Sequence, residues 1–289
     1  MRRWMLMAMV CLADALHGQD YFYNADYLEP PLLVEMGVKS GIIAGLTDIG
    51  PKRSANFYFN ELNTGSPGFY AGWLISALYQ RKLAVTFSLS RGTLSGADSN
   101  SNAAGSQRSA RNLHFETDYT EVQARLEVYP LSFGGEAGAL SPYFFFGGGL
   151  NWYDPMARLG NEWVKLRPLH TEGQAIATEY RESAGFISTG IGVYLDAGPR
   201  WSFRFEWNHT ALFTDHFDDI GGRFIDPVQL KGQMNERSYA RLQEIYGLSR
   251  PWNGRAINQP GMIRGNPAKK DGFAGFSISI CRVINRKRV

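Results

Sequence analysis

Arg200-Trp201-Ser202-Phe203-Arg204-Phe205-Glu206-Trp207-Asn208 places four large aromatics on one parity and Ser202, Arg204, Glu206 and Asn208 on the other. Successive side chains of an extended chain point to opposite faces, so this pattern predicts a strand with one apolar and one charged side. A helix would spread the same residues around its circumference. Four exposed aromatics on a sheet need a cover, which is either a second sheet or lipid.

Working outward, the same period-two pattern recurs. Leu32 to Leu46 carries Val34, Met36 and Val38 opposite Glu35, Gly37 and Lys39. Phe69 to Gln80 places Phe69, Ala71, Trp73, Ile75, Ala77 and Tyr79 on one side, and after a tight turn at Arg81-Lys82 the chain continues with Leu83, Val85, Phe87 and Leu89. Tyr119 to Val128 alternates Glu121, Gln123, Arg125 and Glu127 with Val122, Ala124, Leu126 and Val128. Ser141 to Trp152 carries Phe144, Phe146, Leu150 and Trp152. Ile187, Ile191, Val193 and Leu195 mark a strand before the turn Asp196-Ala197-Gly198-Pro199. Phe276, Ile278 and Ile280 alternate with Ser277, Ser279 and Cys281 in a last one.

Eight strands result. Their connections alternate long and short: long at 47–66, 95–111, 153–180 and 215–270, short at Arg81, Ser132–Leu140 and Asp196–Pro199. The stretch from Ser95 to Arg111, rich in Ser, Gly and Asn, reads as a mobile loop. An even strand count with all the long loops at one end predicts an all-β, eight-stranded antiparallel up-and-down transmembrane β-barrel, with short periplasmic turns and both termini periplasmic. Closure leaves no backbone edge unsatisfied in lipid. Tyr79 and Trp201 fall at the periplasmic girdle, Phe69 and Trp152 at the outer one. His209 continues the lipid parity of its strand, so either the strand has left the hydrocarbon there or a bulge shifts the register.

The totals fit an exported barrel. Outside the N-terminus no apolar run is long enough for a transmembrane helix; a net charge of +3 is too small to argue for a nucleic-acid partner, and no basic patch is interleaved with aromatics. Arg2 and Arg3 precede an apolar run from Trp4 to Ala13, then small residues, which predicts a signal peptide over 1–18 and a barrel over 19–289. With Cys11 in the signal, Cys281 is left alone and no intrachain disulfide is expected.

Glu35, Lys39, Glu121, Arg125, Glu127, Arg204 and Glu206 fall on the inward parity. Mixed signs in a narrow lumen predict paired charges, either a structural plug or an ion path, with the plug preferred. No catalytic, metal or cofactor motif is present, so no catalytic residue, metal or cofactor is assigned. A lipid-A-modifying enzyme built on His209 with Thr210 and Ser183 or Glu206, and a small solute pore, stand as alternatives. Asp215, Asp218 and Asp219 lack calcium-loop spacing and read as a solvated acidic loop. Tyr239, Leu242, Ile245 and Tyr246 predict a short helix over Ser238–Gly247, lying as a lid over the mouth.

Six segments carry a resemblance to a known family: Glu35-Met-Gly-Val38, Arg111-Asn-Leu-His-Phe115, Ser141-Pro-Tyr-Phe-Phe-Phe-Gly147, Leu166-Arg-Pro-Leu-His-Thr-Glu-Gly-Gln174, Phe213-Thr-Asp-His-Phe-Asp-Asp219 and Arg264-Gly-Asn-Pro267. In this order, across nearly all of the mature chain, they resemble the PorG-like outer-membrane barrels of the type IX secretion system of Bacteroidetes. The resemblance implies a non-enzymatic scaffold in contact with outer-membrane lipid, tied to a periplasmic ring of PorK and PorN. No motif carries over the contact residues. The predicted topology puts Arg81, Lys82, the 132–140 and 196–199 turns and the tail Arg286, Lys287 and Arg288 on the periplasmic side; the plain alternative for that tail is a charged end kept in water. The chain closes on Val289, where many barrels end in an aromatic.

Overall fold

In a computed structural model the described residues are 27–28, 30–50, 67–100, 107–131, 133, 140–174, 179–266 and 268–288. The expected signal peptide, most of the 132–140 turn and Val289 lie outside them.

The barrel strands are β2 (Leu32–Gly45), β3 (Gly68–Tyr79), β4 (Leu83–Ala97), β5 (His114–Val128), β6 (Leu140–Leu159), β8 (Ser183–Asp196), β9 (Trp201–Leu212) and β10 (Gly272–Val283). Each pairs antiparallel with its sequence neighbour, β10 pairs with β2, and β5 pairs with β6, so the ring is closed. Every register runs without a break, and no strand edge is left open in the ring. At the end with the short turns, β1 (Tyr27–Leu28) pairs with β11 (Lys287–Arg288), so these first and last described segments meet there.

Alternation sorts the side chains as the sequence predicts. Trp73, Phe87, Phe146, Ile191 and Phe205 stand exposed on the outside, while Glu35, Arg125 and Arg204 are buried inside. Tyr79 and Trp201 sit exposed at the turn end, Phe69 and Trp152 toward the loop end. An apolar outer wall with no backbone edge and every long loop on one side is the architecture of an outer-membrane barrel.

Some bounds differ. β4 continues to Ala97 and is followed by a 3-10 turn, Asp98–Asn100, and by α1 (Gln107–Arg111). The ends of the expected mobile loop are therefore regular. β6 runs on to Leu159 and folds back as β7 (Glu162–Lys165), so the wall rises past the expected end of the strand. α2 (Glu236–Gly247) is where the helical spacing predicts it, capped by the Asn235 side chain, which accepts from the Ser238 N–H. Its Ile245 packs on Ala157, Leu159 and Val164 of that raised wall; its Leu242 and Tyr246 pack on Phe224 and Leu230. The predicted lid helix thus braces the raised wall against the last loop.

The Gln80-Arg81 turn has positive φ at both residues, 46° and 54°, and the Lys82 N–H donates to the Tyr79 carbonyl. This is the backbone of a tight hairpin turn that normally selects Asn-Gly. Here the side chains give no sign of it.

Candidate functional site

The lumen is layered. A layer of aliphatic and aromatic side chains at the turn end, including Leu33, Tyr129, Tyr143 and Tyr194, underlies a band of charge. A second layer, with Tyr70, Phe115, Tyr119 and Phe273, covers it at the loop end. Into this upper layer the last loop inserts Phe217, wholly buried between Tyr119, Tyr153 and Phe273.

Five of the seven inward charges form one alternating chain. Arg204 Nη2 lies 2.7 Å from Glu35 Oε2 and its Nη1 2.9 Å from Glu127 Oε2. Arg125 Nε donates to Glu127 Oε1 at 2.8 Å, and its Nη1 to Glu206 Oε2 at 3.0 Å. Hydroxyl donors fill the remaining lone pairs. Tyr194 and Ser202 donate to Glu35, each at 2.7 Å, Tyr129 and Thr86 donate to Glu127, each at 2.6 Å, and Tyr143 donates to Glu206. Buried charge is tolerated only with this degree of pairing and hydrogen bonding. The tyrosines escaped the sequence reading, although their inward parity was legible. Gly192 makes room for one of them: a Cβ there would lie 2.5 Å from the Tyr143 ring.

Lys39 and Glu121 stand apart from that chain. Lys39 Nζ donates to Ser88 Oγ at 3.2 Å, and Ser90 Oγ has no hydrogen-bond partner among the described residues. Lys39, Ser90 and Glu121 line a cavity of about 10 Å³. That holds one water molecule, not a channel.

The loop end carries a second polar cluster that the sequence reading did not assemble. Arg111 Nε donates to Asp98 Oδ2 at 2.7 Å and Nη2 to the Asp48 carbonyl at 2.7 Å; Nη1 donates to the Arg264 carbonyl. Arg264 Nη1 reaches the Asp219 carbonyl (2.6 Å), Thr171 Oγ1 (3.0 Å) and Glu172 Oε1 (3.1 Å), and Nη2 reaches Asp219 Oδ2 (3.1 Å). Tyr180 and Thr171 also donate to Asp219. Two arginines therefore tie the described ends of all four long connections together. Both come from segments quoted above, as do Thr171, Glu172 and Asp219.

The expectation of a solvated acidic loop is corrected here. Asp218 and Asp219 are fully buried, and Asp215 is half-buried, because Phe217 pulls this turn into the mouth. Asp218 Oδ2 accepts from the Asp48 and Ile49 N–H groups and Oδ1 from that of Ile220. Burial, reinforced by the Asp48 carboxylate, nevertheless raises its pKa to about 7. Burial and the charge of Asp218 also push Asp271 up.

A carboxyl whose folded pKa is raised favours folding while protonated. The benefit is complete below the ordinary value near 3.8 and is lost as pH climbs through about 7. We expect protease resistance of the segment 213–271 to fall between pH 5 and 8 while the barrel stays folded, and Asp48→Asn to move that fall to lower pH. Resistance flat across this range would refute it.

The charges assigned to the short-turn end are partly engaged. Arg81 and Arg286 both pair with Asp196, each through Nη2 at 2.5 Å, where their side chains are largely buried. Lys82 and Lys287 are exposed; the side chain of Arg288 lies outside the described residues. His209 keeps the outward parity, half-buried between Ala274 and Thr189 in an unbroken register, so no bulge turns it inward. Thr210 and Glu206 are inward and buried, and Glu206 is held by Arg125. His209 and these two residues lie on opposite faces of the wall. Among the described residues no group of His, Cys, Asp and Glu is arranged to hold a metal ion.

No family model matches the chain, and no curated protein does. Solved structures of similar architecture include Ail, the attachment invasion locus protein of Yersinia pestis (8% identity over 89% of this chain and 100% of that one, TM-score 0.36). Neisserial surface protein A (9%, 88% and 98%, TM-score 0.36) and the N-terminal β-barrel domain of Pseudomonas aeruginosa OprF (7%, 86% and 96%, TM-score 0.32) are others. At so low a similarity they add no argument; the fold rests on the closed ring of strand pairings and the apolar outer wall.

Proposed function

We propose that this protein is a non-enzymatic scaffold barrel of the outer membrane, a subunit of a type IX secretion system that ties a PorK/PorN-type periplasmic ring to the membrane. The observation that carries the scaffold reading is the filled interior: the Glu35–Arg204–Glu127–Arg125–Glu206 chain occupies the lumen and the Arg111 and Arg264 ties cover the loop end. A barrel filled in this way acts through its surfaces. The secretion role rests on the six ordered segments, several of which meet in the loop-end cluster.

Ring contact belongs to the short-turn end. Arg81 and Arg286 hold Asp196 there, so exposed Lys82 and Lys287 are the better probes of a partner. We expect the intact protein, captured from outer membranes in mild detergent, to bring PorK- and PorN-type proteins with it. Lys82→Glu with Lys287→Glu should reduce that capture about tenfold, the equivalent of ~1.4 kcal/mol. Capture with no periplasmic protein sinks the reading.

A further inference from the structure

The two ends of the outer wall carry charge differently. Toward the loop end, Arg91 on β4 has a carboxylate of the next strand beside it, Asp118, at 3.9 Å. Toward the short-turn end, Arg282 is the one charged residue on the outward parity of the eight strands, among the described residues. It is exposed and is the last outward residue of β10, following Phe276, Ile278 and Ile280 on the same face.

The register surrounds Arg282 with apolar side chains. Its cross-strand partners are Met36 on β2 and Trp201 on β9, both exposed on the outer wall. The diagonal outward positions are Val34, Val38 and Phe203, and exposed Ile280 and Ile284 flank it along its own chain. None of these answers a guanidinium. Asp196, at the same end, is already held by Arg81 and Arg286. A long cationic side chain at the edge of the hydrocarbon reaches to the interface for its counter-ion.

A second arginine adjoins it. Arg200 is exposed, and its carbonyl accepts from the Val283 N–H, so the backbones of Arg200 and Arg282 lie one step apart across the β9–β10 pair. Trp201, between them in the register, marks the interface level at which indole rings collect. We propose that the Arg200, Trp201 and Arg282 surface binds an anionic glycerophospholipid of the leaflet at the short-turn end. Its phosphate sits on the two guanidinium groups, whose planar forks match phosphate oxygens, and an acyl chain runs along Met36, Ile280 and Ile278. Charge sign selects the class. An ethanolamine or choline headgroup would bring its own cation to two arginines, with Asp196 already engaged; a headgroup of net negative charge brings none. The site requires the reading of the outer wall as lipid-facing.

The test is native mass spectrometry of the full chain in detergent, titrated in turn with dioleoyl phosphatidylglycerol, phosphatidylethanolamine and phosphatidylcholine. Phosphatidylglycerol should give about tenfold more one-lipid adduct than either other, a difference of ~1.4 kcal/mol. Arg282→Gln with Arg200→Gln should abolish that excess, while Arg91→Gln should leave it intact. With the wild type, more ammonium acetate should shrink the excess, because exposed charges are screened. Equal adducts from the three lipids, a preference for a zwitterionic lipid, an excess indifferent to salt, or one that survives the double variant would each overturn the proposal. So would loss of the excess in Arg91→Gln, which would put the site at the loop end. Heat-modifiable migration checks that each variant is folded. Capture of ring proteins should be unchanged in the double variant, so the lipid site and the ring contact fail separately.

Discussion

Arg204→Met is expected to lower the unfolding free energy of the barrel by about 3–5 kcal/mol, the cost of leaving buried carboxylates without their cation. Arg204 is wholly buried and bridges Glu35 and Glu127, so its loss isolates Glu35 and leaves Glu127 with Arg125 as its one cation. The tyrosine and serine hydroxyls stay in place but cannot neutralise a charge. Urea unfolding in lipid vesicles, followed by tryptophan fluorescence, measures the effect. The triple variant Arg204→Met, Glu35→Gln, Glu127→Gln should recover most of the loss, because removing a whole buried ionic group is far less costly than removing half of one. A loss below about 1 kcal/mol for Arg204→Met would mean that water reaches these carboxylates, and the filled-lumen argument would fail with it.

Arg264→Met should act elsewhere and differently. Arg264 is buried, and it holds Asp219 and Glu172 from two loops. Its removal leaves one carboxylate buried with only the Thr171 and Tyr180 hydroxyls and another with the Gly221 N–H. A cost of about 3 kcal/mol or more is expected. Because β9 and β10 keep their registers with neighbouring strands, that cost should appear as opening of the 213–271 connection while the ring stays closed. Limited proteolysis tracks the open population, so cleavage there should rise roughly 100-fold with the heat-modifiable migration unchanged. Cleavage at the wild-type rate would show that Phe217 and the helix α2 hold the cover without the arginine. The Arg204 and Arg264 effects should add, since they share no partner.

Much of the barrel is legible without coordinates because alternation is a local property. Trp201, Phe203, Phe205 and Trp207 declare one face and Arg204 and Glu206 the other, whatever the partner strand is. Counting such stretches and noting which connections are long yields the closed ring and its two unlike ends. The lumen charges follow from the same parity, residue by residue.

Which charges meet is another matter. Glu35 finds Arg204, and Arg125 finds Glu206, through registers across strands far apart in the chain. The acidic run 215–219 reads as solvated because its composition is polar; it is buried because Phe217 fits the mouth that eight strands leave. Arg81 and Arg286 read as free surface charge, yet both turn to Asp196. By itself the sequence determined the sheet, its faces and the polarity of its two ends, since these depend on a repeat of two residues. Only the tertiary structure decided the ion pairs and the loop-end cluster, since each joins groups whose distance is set by closure of the ring and not by their spacing along the chain.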